Sequence, residues 1–244
     1  MALLLLVTCA IFSSCEKIKG TGDIIPYSRA LNPFNGIILA MNCDVDFVLP
    51  DVDTAKVDTP YKVTFCAESN IADDIETNVE GGNLIIRMKG NKILKNHPPI
   101  KMRITAPDVS YINVYTPASI VLNFRDSLVR NFLHCNIVGT ATINLRHVRY
   151  SYLKIDMTGP GYVFCDSISE VKTANLTNTG SGNIDLLKVP ADTVHASLTG
   201  AGDISVNVSD LLNVTLTGSG NIWFKGNPTE IKSNITGTGK LIPL

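Results

Sequence analysis

Over most of this chain apolar and polar residues alternate. Leu153, Ile155, Met157, Gly159, Gly161, Val163 and Cys165 share one parity. So do Val194, Ala196, Leu198, Gly200, Gly202, Ile204, Val206 and Val208, and again Val214, Leu216, Gly218, Gly220, Ile222 and Phe224. A period of two is that of a strand with one buried face, and the abundant Val, Ile, Thr, Asn and Ser favour strand or turn over helix. Earlier, Ile37, Leu39, Met41, Cys43, Val45, Phe47 and Leu49 keep the alternation, and Leu84, Ile86 and Met88 resume it after the Gly81-Gly82 turn. The stretch from Asn91 to Pro99, with Lys, Asn, His and two prolines, interrupts the pattern and reads as an exposed loop.

The alternation is itself repeated. TGPGYV begins at Thr158, TGSGNI at Thr179, TGAGDI at Thr199, TGSGNI at Thr217 and TGTGKL at Thr236, with weaker copies VGTATI at Val138 and YTPASI at Tyr115. Successive starts lie 23, 20, 21, 20, 18 and 19 residues apart, a spacing typical of stacked solenoids. No leucine-rich frame and no helical pattern accompanies it. The paired glycines Gly159 and Gly161, Gly180 and Gly182, Gly200 and Gly202, Gly218 and Gly220, and Gly237 and Gly239 all fall on the inward parity. Glycine inside a strand marks a bend, a bulge or a close backbone approach, so each coil is expected to turn a corner there. Coils stacked about 4.8 Å apart then form a parallel β-helix over 106–244. The strands of 31–105 lack the glycine corner and are expected to stand outside the repeat, capping its first coil.

These corners, together with the upstream segments NPFNGIILAMNCDVDFVL and EGGNLIIRM, resemble the head GIN family of auto-transporter adhesins found in Bacteroidetes. The resemblance runs from Arg29 to Leu244. It implies a right-handed, single-stranded β-helix on a secreted or surface-attached protein.

The amino terminus is consistent with export. The apolar run from Ala2 to Phe12 is too short to span a bilayer but suits a signal peptide, and Ser13-Ser14-Cys15 resembles a lipobox, although no Lys or Arg precedes the run. Residues 1–14 are thus expected to be a lipoprotein signal peptide. Cys15 would be the acylated anchor in the cell envelope, outer membrane or cell surface, and 15–30 a polar tether. With 21 basic and 22 acidic residues overall, and ten of each from Ala106 onward, there is no cationic stripe for nucleic acid.

Candidate chemistry is sparse. Of six cysteines, Cys9 lies in the signal and Cys15 in the lipobox; Cys135 and Cys165 fall on inward parity and read as core residues. Cys43 and Cys66 are open to either a bridged or a free state. No CxxC metal spacing occurs, and the glycine pairs lack the third glycine of a dinucleotide motif. The slot after the second corner position reads Thr142, Tyr162, Asn183, Asp203, Asn221 and Lys240, which makes no calcium ladder. Asp126, Asp156, Asp166, Asp185, Asp203 and Asp210 are spread singly over the coils, and His97, His134, His147 and His195 are scattered. A polysaccharide-active enzyme, which needs paired carboxylates, is therefore the weaker alternative, and no cofactor is implied.

Outward parity places Thr158, Thr179, Thr199, Thr217 and Thr236 in one ladder and Thr140, Pro160, Ser181, Ala201, Ser219 and Thr238 in another. Such ladders can satisfy the corner backbone or present a nearly uncharged face to glycan or protein. The nearest aromatics are Tyr162 and Trp223. The expected function is non-catalytic, adhesin-like binding at the cell envelope. Its rival is a structural module forming homo-oligomers through an open edge near Leu241, Ile242 and Leu244. By analogy with exported proteins of that phylum, Asp53-Thr54-Ala55, Asp126-Ser127-Leu128, Asp166-Ser167-Ile168 and Asp192-Thr193-Val194 are O-glycosylation triplets.

Overall fold

The computed structural model describes residues 16–50, 60–124, 128–167 and 169–244; the signal segment and Cys15 lie outside the described residues. From Tyr111 onward each repeat contributes one strand to each of two parallel stacks. The first stack runs Tyr111–Val114, Arg130–Val138, Arg149–Thr158, Glu170–Asn178, the later parts of Asn183–Leu198 and Ile204–Leu216, and Glu230–Ile235. The second runs Ala118–Asn123, Thr142–Arg146, Tyr162–Cys165, the earlier parts of the same two long strands, Ile222–Lys225 and Leu241–Pro243. The fold is a β-solenoid.

Its core follows from the register. In the first stack Ile112, Cys135, Ile155, Leu176, Ala196 and Val214 are partners in successive coils, and in the second Ile120, Ile143, Val163, Ile184, Ile204 and Ile222 are. All twelve are at most 3% exposed. A single coil could not bury such a row; stacking does, at roughly 1.5–3 kcal/mol for each fully buried aliphatic side chain. Cys43, Cys135 and Cys165 are buried, Cys66 is exposed, and all four are free thiols. Burial pushes the Cys43 and Cys135 thiols up to about 12.

The corner glycines are held by what lies one coil away. A Cβ on Gly200 would sit 1.7 Å from the Gly180 carbonyl oxygen, and one on Gly218 1.9 Å from that of Gly200. The same approach recurs for Gly180, Gly182, Gly202, Gly220, Gly237 and Gly239, where the carbonyl oxygen of the equivalent glycine in the preceding coil lies 1.7–2.2 Å from the Cβ position. The missing side chain would therefore point along the stack, not into the core. Of the ten glycines in these pairs only Gly159 has a left-handed φ, 133°. Asn178, buried where other coils carry Met157 or Leu198, clamps its own corner: Nδ2 donates to Gly182 O at 2.7 Å, and Oδ1 accepts from Gly180 N–H at 3.0 Å.

The strands before Ala106 depart from expectation. Gly36–Ala40 pairs in parallel with Tyr111–Val114, and Cys43–Val48 with Ala118–Asn123, so this early segment is itself a coil of the stack. Asn83–Met88 and Ile100–Thr105 add a further coil on its other side. The coil made first in the chain thus lies second in space. Its corner escapes the sequence pattern because Ala40-Met41-Asn42 replaces the glycines, while the step from Leu39 to Cys43 equals that from Val114 to Ala118. Beyond it, Ile75–Glu80 pairs antiparallel with Asn83–Met88, Lys62–Glu68 with Ile100–Thr105, and Ile24–Ala30 with Lys62–Glu68. The short helix Ser69–Ala72 buries Ile71 and Ala72.

Two smaller readings are corrected with it. The leader taken as a tether over 15–30 includes the seven-residue strand Ile24–Ala30 and the strand Lys17–Ile18. Lys17–Ile18 pairs in parallel with Ile93–Leu94, a two-residue strand inside the stretch read as an exposed loop, where Ile93 is nonetheless 51% exposed. Backbone bonds between neighbouring strands, invisible to local periodicity, order both segments.

Candidate functional site

Alternation in the first stack decides which side chains leave the core. Leu133, Cys135 and Leu153 point inward, so Phe132, His134, Tyr152 and Lys154 point outward. The register sets Phe132 beside Tyr152, and Tyr111 beside His134. Phe132 stacks on Tyr152 with centroids 5.6 Å apart and planes 18° apart, and Tyr111 lies 5.4 Å from Phe132. His134 closes the group, 6.2 Å from Tyr111. The result is a continuous aromatic shelf on the outside of the solenoid, with Tyr111 41% exposed.

Polar groups continue it along the stack. Asp156 Oδ2 is 2.8 Å from His134 Nε2 and 2.6 Å from Lys154 Nζ. Partial burial would raise the Asp156 carboxyl, but the bonds and charge of Lys154 and His134 hold it below the ordinary carboxylate value. Next come Asn175, His195 and Asn213 in one column and Thr177, Ser197 and Thr215 in the adjoining one. With Lys154 they line a shallow groove of about 340 Å³. Asn175 Nδ2 donates to the Tyr152 hydroxyl, tying groove to shelf.

Aromatic faces beside amides, hydroxyls and a carboxylate can receive the apolar faces and hydroxyls of a sugar. Local sequence did not single out Tyr111, Phe132 or Tyr152. The available signal was that Phe132 and Tyr152 each precede an inward leucine, Leu133 and Leu153, in successive coils.

The second stack carries Tyr162, stacked on Phe164 at 5.0 Å, and Trp223, whose Nε1 donates to Asp203 Oδ2 at 3.3 Å. Their strands are three coils apart, so the two expected aromatics form no common site. Asp166 accepts bonds from Arg146 and from Asn144 Nδ2, the latter at 2.8 Å. The Arg146 bond first, then that of Asn144, hold its carboxyl below the usual range against a smaller burial effect.

The Asn and Asp of the repeated corner have an internal task. Asn183 Oδ1 accepts from Asp203 N–H at 2.8 Å, Asp203 Oδ1 from Asn221 N–H at 2.7 Å, and Asn221 Oδ1 from Lys240 N–H at 3.0 Å. Each side chain thus ties its coil to the next. In the threonine ladder, the Thr158 and Thr179 hydroxyls are 3.2 Å apart.

No group of three or more His, Cys, Asp or Glu residues able to hold a metal occurs among the described residues. Of the glycosylation triplets, Asp53-Thr54-Ala55 and the first two residues of Asp126-Ser127-Leu128 lie outside the described residues, as does Ile168. Ser167 Oγ accepts the His147 N–H at 2.9 Å, and Thr193 sits within a strand paired on both sides.

A family model described as "Putative auto-transporter adhesin, head GIN domain" matches residues 49–228. Solved structures share the fold. A protein described as a "putative adhesin" from Bacteroides fragilis aligns with TM-score 0.83 and 21% identity, over 93% of this chain and 100% of that one. A "putative adhesin" from Parabacteroides distasonis aligns with TM-score 0.70 and 18% identity, over 94% and 100%. A "putative lipid binding protein" from the same species gives TM-score 0.70 and 20% identity, over 94% and 100%. No curated protein matches.

Proposed function

The chain belongs to the head GIN domain family of auto-transporter adhesins, and from that premise we propose a non-catalytic cell-envelope protein that binds neutral glycan on the outer face of its first stack. The observation that carries this reading is the Tyr111–Phe132–Tyr152 shelf running into the groove of Asn175, His195 and Asn213. The charges beside it, Lys154 and Asp156, neutralise one another at 2.6 Å, which favours an uncharged ligand over an anionic polymer. Export through residues 1–14 and acylation of Cys15 belong to the same proposal, supported by the apolar run and Ser-Ser-Cys junction.

The test is a glycan array followed by calorimetry on the chain from Glu16. Phe132→Ala combined with Tyr152→Ala should weaken binding of any captured glycan at least about ten-fold, as loss of stacking surface implies. Undiminished binding would move the site elsewhere.

One observation favours a second reading, assembly with another copy. Glu230–Ile235 is paired on one side only among the described residues. Its core-facing Ile231 and Ile235 are 46% and 41% exposed although their partners Leu212 and Leu216 are buried. A mass that rises with concentration in light scattering would support that reading.

A further inference from the structure

Where the later coils close their corners with backbone lying on backbone, the early coils do not. Their corner residues Ala40-Met41-Asn42 and Thr116-Pro117 carry side chains, and the coil beyond replaces the tight corner with the detour after Met88. The packing left between them is incomplete. A pocket of about 340 Å³ remains, walled chiefly by Ala40, Met41, Met88, Ile93, Leu94 and Pro117. Among the described residues that line it the one charged group is Lys92, whose Nζ is held 2.9 Å from both oxygens of Asp74, and the polar ones are Asn42 and Thr116, whose hydroxyl donates to Met41 O at 2.9 Å. The described lining therefore offers mainly apolar surface and no unpaired charge, a chemistry suited to a hydrocarbon chain.

The amino terminus passes this wall. Ile93 N–H donates to Glu16 O at 2.9 Å, and Lys17 and Ile18 pair with Ile93 and Leu94. Residue 15 is covalently next to Glu16. We propose that this pocket takes one saturated acyl chain, that carried on Cys15, so that the folded body sits against its own anchor. The inference rests on the lipoprotein reading. Of the three chains of an acylated lipoprotein cysteine, sequestering one leaves two in the bilayer, enough for stable attachment.

The experiment compares two forms of the protein. The unacylated chain from Glu16 is titrated with uncharged decanoyl, lauroyl and myristoyl glycerol below their micelle concentrations. The acylated protein is extracted from membranes, its anchor verified by intact mass, and titrated alike. The unacylated chain should bind one equivalent, tightening about four-fold per methylene as burial of each implies; the acylated form should bind none. Ala40→Trp, at the exposed rim, and Ile93→Glu, at a half-exposed wall position, should each reduce binding at least ten-fold with an unchanged unfolding midpoint. Affinity independent of chain length, no saturable binding, or binding undisturbed in both variants would overturn the pocket. Equal binding by both forms would overturn the anchor as its occupant. An extracted protein without an acyl group would overturn the occupant through the lipoprotein reading, and the titration of the unacylated chain would still judge the pocket.

Discussion

At the scale of single residues, the corner glycines and the thiols give the sharpest expectations. Gly200 is needed because a carbonyl oxygen lies 1.7 Å from where its Cβ would be, while its φ is outside the left-handed region. Gly200→Ala should therefore destabilise by at least about 1–3 kcal/mol, the scale of overpacking, and not stabilise as glycine replacement does at unstrained open sites. Denaturant unfolding reads the sign directly. Of the described cysteines only Cys66 is exposed, whereas Cys43 and Cys135 have thiols pushed up to about 12. Native alkylation of the chain from Glu16 should add one label by intact mass, and unfolding should release the remaining sites. Inward parity identified Cys135 and Cys165 as core; whether Cys43 and Cys66 meet was set by the pairing of distant strands.

At the scale of elements, bonds between coils carry the pH response. Asp166 joins Thr142–Arg146 to the coil after it through Arg146 and Asn144, and its carboxyl is lowered. A lowered folded value means stability that is present above the unfolded carboxylate range, near about 4, and lost as pH falls through the folded value. The side chain is 32% exposed, so solvent screens the effect and it should be modest. Urea midpoints at neutral pH and well below the carboxylate range should show less acid loss in Asp166→Asn than in the parent. The same scale explains why Asn and Asp recur after the second glycine. The slot carries a side-chain-to-backbone bond to the next coil, which a sequence motif for cation binding resembles only in spelling.

For the whole molecule, the faces differ although the repeats are alike. The first stack gathers the aromatic shelf and the amide groove, while the second holds separated aromatics and the Arg146–Asp166 pair. Because Lys154 and Asp156 offset each other within that surface, glycan binding should change less than about two-fold between low and physiological salt, where screening removes long-range charge effects. Calorimetric titrations at both ionic strengths read this. Affinity that collapses with added salt would point to an anionic ligand instead.

The alternation and the repeat by themselves determined the strands, the coil length, the corners and the inward row from Tyr111 onward. These are local properties: one coil's pattern states which parity is buried, and the next coil restates it. Tertiary structure alone decided where Gly36–Ala40 lies, since its neighbours Asn83–Met88 and Tyr111–Val114 are both remote in sequence and its corner carries no glycine. It also decided that Tyr111, Phe132 and Tyr152 form one surface, and that Met41, Met88 and Ile93 enclose a pocket. Side chains on different coils meet according to strand register and stacking order. Neither is encoded within a single repeat, because both depend on which edges pair once the chain has folded back on itself.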